Sequence, residues 1–66
     1  MLIKVNGEAR EIDDGLSLPD LVSLLKLKPE QIAIELNKSV VRRSAWASVR
    51  LSEGDQIEIV HFVGGG

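Results

Sequence analysis

Ser17-Leu18-Pro19-Asp20-Leu21-Val22-Ser23-Leu24-Leu25 reads as an amphipathic helix set among strand-like segments. Ser17 offers an N-cap hydroxyl, and Pro19 stands in the first turn, where a backbone N–H has no helical partner to lose. Asp20, three residues after the cap, can reach back to the cap backbone and favours the positive end of the helix dipole. Leu18, Leu21, Val22 and Leu25 fall at i, i+3, i+4 and i+7, one apolar stripe that must pack on something. Pro29 marks the predicted end.

Everything outward from this helix has the shorter period of a strand. Upstream, Leu2-Ile3-Lys4-Val5 alternates from Ile3 onward, and Asn6-Gly7 suits a type I′ turn, whose two central residues both need positive φ. The return strand, Glu8 to Ile12, ends at the turn cluster Asp13-Asp14-Gly15. Downstream, Ile32-Ala33-Ile34-Glu35-Leu36 opens β-branched and alternates, and Asn37-Lys38-Ser39 turns it into a short strand at Val40-Val41. Ser44 can cap a single helical turn through Trp46. After Glu53-Gly54-Asp55, Gln56-Ile57-Glu58-Ile59-Val60-His61-Phe62 alternates as the last strand.

The predicted order is β-β-α-β-β-β. A sheet laying its apolar face on one helix is a two-layer α+β domain, and the arrangement that fits is a β-grasp: a mixed sheet of four to five strands. A right-handed crossover joins the second strand through the helix to the third, and the final strand is expected beside the first. The domain is expected to occupy residues 1–62, followed by an extended, flexible tail over 63–66.

Composition narrows the function. At 66 residues the chain supports one small core and no deep pocket. With no cysteine it has neither disulfides nor a thiolate metal cage, so aliphatic packing must hold it: 9 Leu, 7 Val and 6 Ile against one Trp and one Phe. A net charge of -2 argues against nucleic acid. No apolar run approaches the roughly 20 residues that span a bilayer, and Lys4 interrupts any signal-like start, so the expected setting is cytoplasmic, away from membranes. No nucleophile-base pair, phosphate loop or metal cluster suggests a free-standing enzyme. Asp13, Asp14 and Asp20 lack calcium-loop spacing and fit turn and cap roles, so no metal site is expected. His61, the only histidine, reads as a partly exposed structural residue of a strand, and Trp46 as core rather than an interface anchor.

Several segments together resemble the ThiS family of sulfur carriers of thiamine (thiazole) biosynthesis. They are Val5-Asn6-Gly7-Glu8, Ile34-Glu35-Leu36-Asn37, Val41-Arg42-Arg43-Ser44-Ala45-Trp46, Leu51-Ser52-Glu53-Gly54-Asp55-Gln56-Ile57-Glu58-Ile59-Val60, and a final Gly-Gly. The resemblance covers the whole chain; Gly64 is one glycine more than the family pattern requires. It implies a ubiquitin-like protein that is a co-substrate, not an enzyme, and that binds no cofactor itself. A ThiF-type enzyme, using ATP and magnesium, would adenylate the carboxylate of Gly66. Sulfur from a cysteine-derived persulfide would convert it to a thiocarboxylate, for delivery to thiazole synthase, ThiG.

Residues Val63 to Gly66, at no more than about 3.6 Å each, can reach roughly 13 Å into a partner's active site. Gly65 and Gly64 would be read in that channel, where the lack of a Cβ lets the chain pass and adopt any φ. Ile59, His61, Phe62 and Val63, leading into the tail, form the expected docking patch. Two alternatives fit the same fold: a MoaD-like small subunit of molybdopterin synthase, and a non-covalent β-grasp adaptor, which leaves the glycines unexplained.

Overall fold

A computed structural model describes residues 1–62. Five strands, β1 (Leu2–Val5), β2 (Glu8–Glu11), β3 (Ile32–Leu36), β4 (Ser39–Val41) and β5 (Gln56–His61), form one sheet in the order β2-β1-β5-β3-β4. Among the described residues one α-helix, α1 (Leu18–Leu24), lies between β2 and β3 in sequence, and short 3₁₀ segments occupy Pro29–Gln31 and Arg43–Ser48. β5 is the central strand. It runs parallel to β1, with Lys4 opposite Gln56 and Val5 opposite Ile57, and antiparallel to β3 from Ile32–His61 to Leu36–Ile57. The expected β-grasp, with the last strand beside the first, is the fold observed.

Period-2 alternation sorts the sheet into two faces. Ile3 and Val5 of β1, Ile32 and Ile34 of β3, and Ile57 and Ile59 of β5 are all buried. They meet Leu18, Leu21 and Val22 of α1, together with Ile12, Trp46 and Leu51. Ile3, Leu18, Leu21, Ile34 and Ile57 are fully buried, each contributing about 1.5–3 kcal/mol relative to an exposed side chain. β2 is exposed at every position, and its Glu8, Arg10 and Glu11 protect one sheet edge from pairing with other chains.

The helix start matches its sequence signature. The Ser17 hydroxyl accepts from the Asp20 N–H at 3.2 Å and the Asp20 carboxylate accepts from the Ser17 N–H at 3.3 Å, a complete capping box. Its end does not match. Pro29 is not the terminator: α1 stops at Leu24, where Lys26 turns into the left-handed region at φ 59. The Leu27 N–H then bonds the Val22 carbonyl and the Lys26 N–H bonds the Ser23 carbonyl, a Schellman motif made without glycine. Pro29 instead opens the first 3₁₀ turn. The second short helix also differs from expectation. It spans Arg43–Ser48 with Arg42 at its N-cap, and Ser44 lies inside it and caps nothing.

Both hairpin turns have left-handed pairs. Asn6 and Gly7 have φ 49 and 83, as anticipated; Asn37 and Lys38 have φ 50 and 73. The second turn therefore places a lysine where glycine is the unstrained choice.

Candidate functional site: the end of the central strand

The chain leaves the sheet at the end of β5, so the last described residues form the stem of residues 63–66. Val63, Gly64, Gly65 and Gly66 lie outside the described residues. The stem is held from both sides. On the β3 side, the Phe62 N–H bonds the Gln31 carbonyl at 2.8 Å, extending the ladder one residue past β5. On the other side β1 ends at Val5, and a side chain takes over. The Asn6 N–H bonds the Ile57 carbonyl at 2.8 Å. The Asn6 carboxamide oxygen then accepts from the Ile59 N–H at 2.7 Å, while its Nδ2 donates to the Ile59 carbonyl at 3.3 Å.

The opposite end of β5 is secured in a related way by Asn37. Its N–H bonds the Gln56 carbonyl at 2.7 Å, and its carboxamide oxygen accepts from the Gln56 N–H at 2.9 Å. Its Nδ2 donates to Asp55. Both turn asparagines thus fix the strand that precedes the tail, a role the sequence reading did not assign to either. The signal was present, since each asparagine follows a strand at a two-residue turn, but contact with β5 depends on the tertiary pairing.

The expected docking residues separate. Ile59 is 8% exposed and belongs to the core, because it shares parity with Ile57 and faces α1. It is withdrawn from the patch. His61 follows the same parity but lies at the strand's end and is exposed. Phe62 is 54% exposed on the opposite, open face of the sheet. Two neighbours there were missed: Val60, 54% exposed, and Val40 on β4, 71% exposed. Ala33 stands directly opposite Val60, and Glu35 stands opposite both Val40 and Glu58. Strict alternation from Ile57 would have selected Glu58, Val60 and Phe62 as one face.

An open groove of about 320 Å³ adjoins Phe62, with Glu30, Ile32, Val40, Arg42, Arg43 and Trp46 along it. Trp46 is core, as expected, at 3% exposure, and its indole N–H donates to the Val41 carbonyl at 2.8 Å. Elsewhere, the Met1 ammonium donates to the Ile12 carbonyl at 2.6 Å and pairs with Glu11 at 3.0 Å and Asp14 at 3.3 Å. Asp14 and Asp20 are therefore engaged in an end pair and a helix cap. Among the described residues no group of three or more His, Asp or Glu is placed to hold a metal, and no helix is long and apolar enough to cross a membrane.

A five-stranded mixed sheet on one helix, with its central strand leading out into glycines, defines a ubiquitin-like β-grasp module. The chain belongs to the ThiS family, whose model matches residues 3–66. It is 33% identical over 66 residues to the sulfur carrier protein ThiS of Bacillus subtilis, covering 98% of this chain and 100% of that one. The thiamine biosynthesis protein ThiS of Geobacter metallireducens, a crystal structure, superposes with a TM-score of 0.87 at 35% identity over 100% of both chains. A thiazole synthase of Magnetococcus marinus is 47% identical over 66 residues. The chain spans all of its own length but only 20% of that relative.

Proposed function

We propose that this chain is a sulfur carrier for thiazole formation in thiamine biosynthesis, acting as a protein co-substrate and not as an enzyme. The observation that carries the reading is the placement of β5: a rigid central strand, tied by Asn6 on one side and β3 on the other, delivers the chain into Val63-Gly64-Gly65-Gly66. A carboxylate at Gly66 is a poor electrophile, since its charge repels nucleophiles and oxide does not leave. Attack of that carboxylate on ATP, with release of pyrophosphate, forms an acyl-adenylate from which AMP can leave. The outer sulfur of a cysteine-derived persulfide then displaces AMP to give an acyl persulfide, and a second thiol cleaves its S–S bond, leaving the thiocarboxylate and a disulfide. The covalent intermediates divide one difficult substitution into easier steps. In this reading ATP and magnesium belong to a ThiF-type partner, and the setting is the cytoplasm.

Thiazole synthase is the acceptor in this reading. Support comes from relatives named thiazole synthase that contain a segment like this chain. A carrier joined to its acceptor presents its sulfur at high effective concentration. Phe62 and Val60 are the apolar anchors of the docking face, and Gly64 and Gly65 are the residues threaded through the partner's channel.

Intact-mass spectrometry of the chain after incubation with the adenylating enzyme, ATP, a persulfide source and a thiol reductant tests this directly. The expected product has one oxygen replaced by sulfur, mapped to Gly66. No mass change, or one on another residue, overturns the proposal. Transfer of that sulfur to purified thiazole synthase, in preference to molybdopterin synthase, tests the acceptor.

A further inference from the structure

Glu35 and Glu58 are directly opposite one another on β3 and β5 and share the open face of the sheet. Like charges so placed repel across a gap of about 5 Å and destabilise the sheet they stand on. Lys4 lies on the same face of β1 but pairs with neither: among the described residues the ion pairs involve only the Met1 ammonium, with Glu11 and Asp14. Among the described residues no cation of the domain lies within ion-pair distance of this acidic pair.

The pair is one end of a graded strip. Moving along β5 toward the tail, Val60 and Ala33 follow in the next row of that face, with Val40 beside Glu35. Phe62 comes next, four residues beyond Glu58 and about 13 Å along the extended chain. At that end the groove beside Phe62 carries Arg42 and Arg43, with Glu30 on its rim and no ion pair between them. An apolar centre thus lies between an acidic end far from the tail and a mainly basic end next to it.

We propose that this polarity orients the enzyme that acts on the Gly66 carboxylate. Its docking surface has an apolar patch for Val60 and Phe62, lysine or arginine over Glu35 and Glu58, and aspartate or glutamate over Arg42 and Arg43. The inference rests on the carrier reading above and deepens it. Apolar contact alone would tolerate a reversed placement, which would aim the tail away from the active site. Opposite charges at the two ends favour one orientation and penalise the other.

The test titrates the full chain against the ATP-loaded adenylating enzyme by calorimetry, at low and high salt, with thermal melts of each variant alone. Glu35→Lys should raise the melting temperature, by turning a repelling pair into an attracting one, yet weaken binding by about tenfold. Arg42→Glu with Arg43→Glu should weaken binding to a similar degree. Wild-type affinity should fall with salt more steeply than that of either variant. Unchanged affinity in both variants overturns the proposal, as does a loss of affinity by Glu35→Lys that accompanies a lower melting temperature. A dimer of the free chain in sedimentation that the arginine reversals dissolve also overturns it, by assigning the face to a second copy. The wild-type mass assay separates the two readings: sulfur gain with unchanged affinities removes only the orientation proposal, whereas no gain removes the carrier reading.

Discussion

The carboxamide of Asn6 completes both backbone hydrogen bonds of Ile59, at 2.7 and 3.3 Å, on the side where β1 has already turned away. In a continuing parallel ladder those partners would be main-chain groups of the next residues on β1. The type I′ turn removes those residues, and a side chain stands in for them.

Replacing Asn6 with Ala should therefore be costly for an exposed turn residue. Two net hydrogen bonds of about 0.5–1.5 kcal/mol each are lost. A left-handed φ of 49 is also harder for Ala than for Asn. Urea melts should show about 1–3 kcal/mol of destabilisation, and amide exchange at Ile59 should accelerate more than at Ile34. A loss below about 0.5 kcal/mol would mean that water replaces the carboxamide without penalty.

Lysines at positive φ offer the opposite experiment. Lys26 and Lys38 hold φ 59 and 73 at the helix end and in the second hairpin turn. Lys26→Gly and Lys38→Gly should each stabilise the chain, by up to about 1 kcal/mol, as the relieved backbone strain exceeds the added unfolded-state entropy. Chemical denaturation decides it, and destabilisation by either would show that the lysine side chain makes contacts worth more than its strain.

The hydrogen bonds and ion pairs of the Met1 ammonium set the direction of a pH dependence. Its pKa is raised above the ordinary 8.0, chiefly by its hydrogen bond to Glu11, with burial opposing and Asp14 assisting. The folded chain therefore holds this proton more tightly than the unfolded chain does. The resulting stability is present in full below pH 8 and is lost as pH rises through the higher folded value. Melting temperatures from neutral to alkaline pH should decline accordingly, and Glu11→Gln should flatten that decline. A wild-type profile unaffected by Glu11→Gln would remove this group as its cause.

Phe62 should separate binding from folding. With 54% of it exposed, Phe62→Ala costs little core packing, so its melting temperature should stay near that of the wild type. Affinity for the adenylating enzyme should drop severalfold to a hundredfold, as expected for an aromatic anchor. A large fall in melting temperature with unchanged affinity would place Phe62 in the core instead.

Local chemistry made much of the fold legible. Ser17, Pro19 and Asp20 fix the helix start because capping uses side chains three residues apart, and Asn6-Gly7 fixes the first hairpin because few dipeptides accept two positive φ values. The helix end was misread because Pro29 is a conspicuous breaker, whereas Lys26 gives no local hint that it will adopt the left-handed conformation. Ile59 was misassigned for a different reason. Proximity to the tail suggested an exposed role, but face is set by parity, and Ile59 shares that of Ile57. The part played by Asn6 depends on a strand 53 residues away meeting its turn, which no local pattern encodes.

The sheet order β2-β1-β5-β3-β4 also constrains how the protein is made. Its two hairpins, β1 with β2 and β3 with β4, are joined only through β5, which is synthesised after every other strand. A nascent chain that has not yet released residues 56–61 from the ribosome has two separate ribbons, and the sheet that covers α1 is still open. Folding is thus held back until the segment next to the tail exists. A product truncated before β5 leaves the apolar strands of both ribbons uncovered, and so open to proteolysis.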